Sequence, residues 1–149
     1  QDADLEYDPD DIVKMFNLMI EEKYDVLYGS RVLKKKRYNN KDFTSNFRIF
    51  ANHILTIFSN IINKQNLTDA HTCYKMFSTK VFKKIELKEN DFSFCPEITT
   101  KVSNLNIPIY ETSISYKGRS YEDGKKISFK DGFKALYTVI KYSKKVKNK

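Results

Sequence analysis

The first eleven residues, Gln1-Asp2-Ala3-Asp4-Leu5-Glu6-Tyr7-Asp8-Pro9-Asp10-Asp11, most constrain the fold. Asp8 is a favourable N-cap and Pro9 is pre-organised for a first helical position, so a helix starts here. Asp2 and Asp4, spaced i, i+2 about the small Ala3, fall on one face of an extended strand end. Strand end, acidic loop and helix start in immediate succession make a unit of an α/β fold, in which ligands gather at strand carboxyl ends. Two carboxylates there suit a hard divalent cation shared with substrate phosphates. Glu6 continues the alternation as a third candidate oxygen ligand. The helix dipole accounts for Asp8, Asp10 and Asp11. It does not account for Asp2 and Asp4, although Asp-x-Asp also arises often by chance.

Charge is divided along the chain. Residues 1–25 carry nine acids and two bases, a sum of −7, and residues 26–149 carry ten acids and 25 bases, a sum of +15. An acidic head can hold a cation while a basic remainder faces phosphates, nucleic acid or an acidic membrane. At 149 residues with 21 Tyr and Phe, the chain is long and apolar enough for one domain with a core. Cys73 and Cys95 stand alone, which argues against a zinc cluster or disulfide framework and suits a reducing compartment. No apolar run approaches the ~20 residues of a membrane span. The absence of a Met at position 1, in mid-motif, suggests a fragment.

Periodicity predicts a helix over 9–22, with Ile12, Met15, Phe16, Met19 and Ile20 at helical spacing. A buried strand over 25–31 ends in Gly29-Ser30-Arg31. The polar, basic run 34–41 is a loop, read either as a solvated linker or as a phosphate- or membrane-facing segment. A second helix carries one stripe, Phe47, Phe50, Ala51, Ile54, Leu55, Phe58, Ile61 and Ile62. A core face is the expected role for it, with a membrane-contacting face as the alternative. Arg48 and Asn52, four apart, can address one anion. Thr68, Asp69, His71 and Thr72 lead into a strand over 72–77, where Asp69 and His71 can equally be turn residues. A short helix over 79–85 and a polar connection over 86–91 follow. A helix over 96–105 has Glu97 in its dipole-favoured first turn. A strand over 107–116 leads to a polar loop bearing Arg119, Lys125 and Lys126. The last helix, 129–142, aligns Phe129, Phe133, Leu136, Tyr137 and Ile140, and residues 144–149 form a basic, disordered tail.

In this order, QDADLEYDP (1–9), YGSR (28–31), NFRIFAN (46–52), LTDAHTCYKMF (67–77), FCPEIT (94–99) and IYETSISYKGRSYEDGKKI with KDG (109–132) resemble a family-2 glycosyltransferase of the GT-A fold. The nearest type is the dolichol- or polyprenyl-phosphate mannose synthase. The resemblance implies an α/β fold: the C-terminal portion of a Rossmann-like nucleotide-diphospho-sugar transferase, with a mixed sheet flanked by helices. Residues 1–143 would be its acceptor half, and the nucleotide-binding half that precedes the DxD pair in the family would be absent. Such a piece is expected to be inactive alone.

The resemblance also assigns roles. Asp2 and Asp4 match the pair that holds Mg²⁺ or Mn²⁺ on the donor diphosphate, with Glu6 a further ligand. Arg31, Arg48, Asn52 and Arg119 match positions around the acceptor and donor phosphates. Lys125 and Lys126 belong to a loop over the nucleotide, and Asp69 falls where some relatives place the catalytic base. The implied reaction is inverting transfer from a nucleotide-diphosphate sugar to a polyprenyl phosphate, at the cytoplasmic membrane face and with peripheral membrane contact. An ionised phosphate acceptor needs no strong base, and Asp69 would then orient groups; a hydroxyl acceptor would need Asp69 as base. The alternatives are transfer to a sugar hydroxyl of a surface polysaccharide, or a non-catalytic basic binding fragment. No nucleic-acid signature accompanies the positive charge.

Overall fold

A computed structural model of the chain describes residues 6–33, 43–117 and 129–143, with the backbone alone for 43–48 and 129. Three strands make one sheet in the order β2-β1-β3. The central strand β1 (Val26–Ser30) pairs antiparallel with β2 (Lys75–Phe77) and parallel with β3 (Tyr110–Ser113). This is the mixed α/β arrangement expected. Every residue of β1 is buried, as a strand covered on both faces must be.

Helix α1 (Asp10–Glu21) covers one face of the sheet. The Asp8 side chain accepts the Asp10 N–H at 3.0 Å, and Pro9 already has helical dihedrals, so the helix starts as the sequence indicates. Met15 and Met19 pack with Tyr7, Leu27, Tyr74 and Ile114. The other face is covered by α4 (Phe94–Asn104), tied to β1 by a 3.1 Å hydrogen bond between the Tyr28 and Thr99 hydroxyls. Val26 and Tyr28 meet Ile98 and Val102 there, with Leu67, Ala70 and Val81. Val81 comes from the short helix α3 (Thr79–Phe82). Helices α2 (Phe43–Asn63) and α5 (Phe129–Tyr142) pack on α4 and on each other as an outer layer.

Two expected strands are shorter in the structure. The strand expected over 72–77 is only Lys75–Phe77, because the Cys73 N–H goes to the Tyr7 hydroxyl at 3.2 Å and the Tyr74 N–H to Thr72 Oγ1 at 3.3 Å. The strand expected over 107–116 is Tyr110–Ser113, whose register partners are limited to Leu27–Ser30.

The apolar stripes are the larger correction. The most deeply covered positions of α2 are polar: Thr56 and Ser59 are buried, Ala51, Leu55, Phe58 and Ile62 of the expected stripe are half-buried, and Phe50, Ile54, Ile57 and Ile61 are exposed, Ile61 at 66%. The reason lies in what α2 packs against. Asn60 accepts the Leu67 N–H and donates to the Leu67 carbonyl, at 3.0 and 2.8 Å. Thr56 Oγ1 accepts the buried Ala70 N–H at 3.3 Å, and Asn63 donates to Thr100 Oγ1 at 3.1 Å. A buried turn needs partners for its backbone groups, and only a polar helix face supplies them. Helix α5 likewise buries Ala135, Thr138, Val139 and Tyr142 while Phe133 (73% exposed), Tyr137 and Ile140 point outward. On α1, Ile12, Phe16 and Ile20 are exposed too. No described helix is long and apolar enough to cross a membrane.

Candidate functional site

The carboxyl end of β1 organises the site. Gly29 lies where a Cβ would come within 2.7 Å of Ile114 Cγ2 and 3.1 Å of Met15 Sδ, so the strand reaches this point only without a side chain. Ser30 follows, its Oγ accepting the N–H groups of Val32 (3.3 Å) and Leu33 (3.0 Å) and turning the chain off the sheet. Arg31 then meets Asp69. Nε and the backbone N–H of Arg31 reach Asp69 Oδ2 at 2.7 and 3.1 Å, and Nη2 reaches Oδ1 at 2.8 Å. The fork-to-carboxylate geometry uses both oxygens of Asp69, which is 4% exposed.

Electrostatics follow from that pairing. Burial alone would push the Asp69 carboxyl up, but the charge and hydrogen bonds of Arg31 outweigh it and hold the carboxyl below the usual carboxylate range. Burial pulls the Arg31 guanidinium down and Asp69 more than compensates, so Arg31 is a permanent cation. Among described residues, Nη1 and the second Nη2 hydrogen have no hydrogen-bond partner. The guanidinium lies over the Tyr116 ring, 5.2 Å from its centroid. Burial and the nearby Lys75 charge pull His71 down to about 4, so it is neutral at pH 7.

Glu111, on β3, was not marked by any sequence signal. It holds the Asp69 turn in place. Its Oε2 accepts the backbone N–H (2.7 Å) and hydroxyl (2.9 Å) of Thr68, and its Oε1 accepts the Asp69 N–H at 3.0 Å. Since Thr68 Oγ1 donates to Glu111, it accepts from Ser30 Oγ, 2.7 Å away. The series runs one way, from the Val32 and Leu33 amides through two hydroxyls to one carboxylate. Burial pushes Glu111 up from its ordinary range, with these N–H groups opposing. Two more buried acids, in the first turns of α1 and α4, do more than complement a helix dipole. Asp11 accepts the Ser115 N–H at 2.6 Å, and Glu97 accepts the amides of Lys88 and Glu89, both at 2.9 Å.

Of the residues marked in the sequence, the structure brings Arg31, Asp69 and Glu6 into one neighbourhood. Glu6 is buried, and its Oε2 accepts the Tyr116 hydroxyl at 2.9 Å, the same ring that lies under Arg31. Asn52 is half-buried on α2, and no hydrogen bond among the described residues joins it to Arg31. Asp2, Asp4, Arg119, Lys125, Lys126, the 34–41 run and the tail lie outside the described residues, as does the Arg48 side chain. Among the described residues no group of three or more His, Cys, Asp or Glu is placed to hold a metal ion. Glu6 alone does not make such a site.

The sequence model described as "Glycosyl transferase family 2" matches residues 1–86. A UDP-N-acetylglucosamine–dolichyl-phosphate N-acetylglucosaminyltransferase of Methanococcus voltae is 26% identical over 143 residues, covering 93% of this chain and 55% of its own length. The low-salt glycan biosynthesis hexosyltransferase Agl6 of Haloferax volcanii is 25% identical over 139 residues, covering 93% of this chain and 33% of its own. An uncharacterized protein of Methanocaldococcus jannaschii is 24% identical over 141 residues, with 93% and 57% covered. The chain thus spans a third to somewhat over half of each relative's length. No solved structure gives a significant match.

Proposed function

Because the chain belongs to glycosyl transferase family 2, we propose that it serves in inverting transfer of a sugar from a nucleotide-diphosphate sugar to a polyprenyl phosphate of the dolichyl type. The reaction would take place at the cytoplasmic face of a membrane that the protein touches peripherally. The relatives' names support the reaction class. The observation that carries the acceptor is the Arg31–Asp69 pair. A buried carboxylate whose two oxygens are held by a half-buried guanidinium is a poor general base. An acceptor hydroxyl needs such a base; an acceptor phosphate is already ionised near pH 7. Asp69 in this reading orients Arg31, and Arg31 offers its remaining N–H groups to phosphate oxygens, which its planar fork suits.

The other assignments keep their places. Arg48, Asn52 and Arg119 contribute to the acceptor and donor phosphates, and Lys125 and Lys126 add fixed positive charge to the diphosphate. Asp2 and Asp4, with Glu6 next in the alternation, have the oxygen donors that Mg²⁺ or Mn²⁺ prefers. Such an ion would neutralise charge on the leaving diphosphate.

The test offers the full-length protein to which this chain belongs a labelled nucleotide-diphosphate sugar with either a short-chain polyprenyl phosphate or the corresponding polyprenol. Label is expected on the phosphate alone. Transfer only to the alcohol, abolished in Asp69→Asn, would replace this reading with a hydroxyl acceptor and Asp69 as base.

A further inference from the structure

The two cysteines of the chain, well separated in sequence, meet at one carbonyl group. Cys95, in the first turn of α4, directs its Sγ to the Thr72 carbonyl oxygen at 3.7 Å, and Cys73 is the residue that follows that carbonyl. Standard backbone dimensions put a carbonyl oxygen about 2.8 Å from the next Cα. Cys95 Sγ is therefore no more than about 6.5 Å from the Cys73 Cα. Disulfide-bonded residues have Cα atoms roughly 4.4–6.8 Å apart, so side-chain rotation with a small backbone shift closes the remaining gap. Both thiols are free, Cys73 exposed and Cys95 half-buried. Burial and the nearby Cys95 push the Cys73 thiol up, against its hydrogen bond with Tyr7. The same Thr72 carbonyl also accepts Lys75 Nζ, which ties this point to β2. One such pair is no disulfide framework; it is a single link that a change of redox conditions makes or breaks.

Cys73 also holds part of the site. Its N–H donates to the Tyr7 hydroxyl at 3.2 Å. The Tyr7 ring packs on those of Tyr74 and Tyr116, with centroids 4.7 and 5.1 Å away, and the Arg31 guanidinium lies over the Tyr116 ring. We infer that Cys73 and Cys95 form a reversible disulfide that loosens the support of Arg31. The oxidant is a small-molecule disulfide. The exposed Cys73, as thiolate, attacks one of its sulfurs and expels the other half as a thiolate. The Cys95 thiolate then attacks the Cys73 sulfur, the protein S–S bond forms, and the second small thiolate leaves. Two protein thiols are oxidised, one small disulfide is reduced to two thiols, and the two cysteine protons pass to those thiols through water. Drawing Cys73 toward α4 takes its amide from Tyr7 and releases the ring stack beneath Arg31. The link itself is independent of the acceptor; its effect on transfer rests on the reading of Arg31 given above.

The full-length protein to which this chain belongs is equilibrated with mixtures of oxidised and reduced glutathione, alkylated, digested and mapped by mass spectrometry without reduction. A peptide linking Cys73 to Cys95 is expected, growing with the oxidised fraction and lost in dithiothreitol. Cys95→Ser blocks the second step, and Cys73 should then retain one glutathione. Hydrogen exchange, which needs no substrate, should be faster around residue 73 in the oxidised protein than in the reduced one. Transfer should fall about tenfold on oxidation, the equivalent of one lost hydrogen bond, and recover in dithiothreitol. In Cys73→Ser it should not respond to the glutathione ratio. Glutathione left on Cys73 of the parent protein with no linked peptide overturns the inference, as does a Cys73–Cys95 link found only between two chains. Unchanged hydrogen exchange in the linked form overturns it too. A link that quickens exchange while reduced protein transfers nothing to a polyprenyl phosphate leaves the switch standing and removes the acceptor reading instead.

Discussion

The interior beside Asp69 and the exterior of α2 reverse the usual distribution of polarity. Inside, within hydrogen-bond reach of one another, lie Glu111, Thr68, Ser30, Asp69 and Arg31, and the adjoining face of α2 is Thr56, Asn60 and Asn63. Outside, the same helix shows Phe50, Ile54, Ile57 and Ile61. The contrast teaches that burial here is allotted by hydrogen-bonding need. The 67–70 turn is buried and its amides require acceptors, so polar side chains went inward. Phe50, Ile54, Ile57 and Ile61 were left outward.

Three substitutions probe the two sides, the inner ones first. Asp69→Asn removes one partner of a buried ion pair and should cost about 3 kcal/mol in urea unfolding. It should also change the acid limb of stability. With its carboxyl held below the usual range, Asp69 contributes stability that is fully present above the unfolded value of about 3.9. That contribution is lost as pH falls through the lower folded value. The variant's stability should therefore fall less on acidification than that of the parent chain.

Glu111→Gln comes next. The amide keeps the shape, but one acceptor oxygen becomes a donor facing donors, and a loss of about 1–2 kcal/mol is expected. If Glu111 is a positioning residue for Arg31, the variant should also require more acceptor phosphate for half-maximal transfer, and Glu111→Asp should restore part of that affinity. A stability loss with unchanged acceptor dependence would confine Glu111 to the fold. Last, Ile61→Ser on the exterior should change stability by no more than about 0.5 kcal/mol. A loss above 2 kcal/mol would mean that the exposed row packs against something in the folded chain, and the contrast would dissolve.

Much of the fold was legible because its signals are local. The last helix falls on 129–142 as its periodicity indicates, and Asp8-Pro9 opens α1 where a cap and a pre-set φ require. The orientation of the stripes was not legible. A hydrophobic period says that a helix has two faces, and says nothing of which one the rest of the protein covers. The site was legible in part. Arg31 and Asp69 stand out by residue type at strand and turn, but their pairing spans 38 positions. Glu111 acts on backbone amides 42 and 43 positions away, and an acid that serves distant amides leaves no local spacing to read. Glu97 illustrates the opposite error. A helix dipole suffices to explain an acid at that position, while its actual partners, the Lys88 and Glu89 amides, lie nine and eight positions away in the preceding connection.

Gly29 sets a distance between charges. It lets Met15 of α1 and Ile114, just beyond β3, close on the same point of β1. Helix α1 begins with Asp10 and Asp11, the Asp10 N–H bonded to the Asp8 carboxylate, and β1 runs on into Arg31. A methyl group at 29 would wedge these elements apart and shift the start of α1, with Asp10 and Asp11, relative to the strand end that carries Arg31. The placement of α1 against β1 is thus fixed by a side chain of no volume. Drift in the surrounding core could retune it without altering a single charged residue.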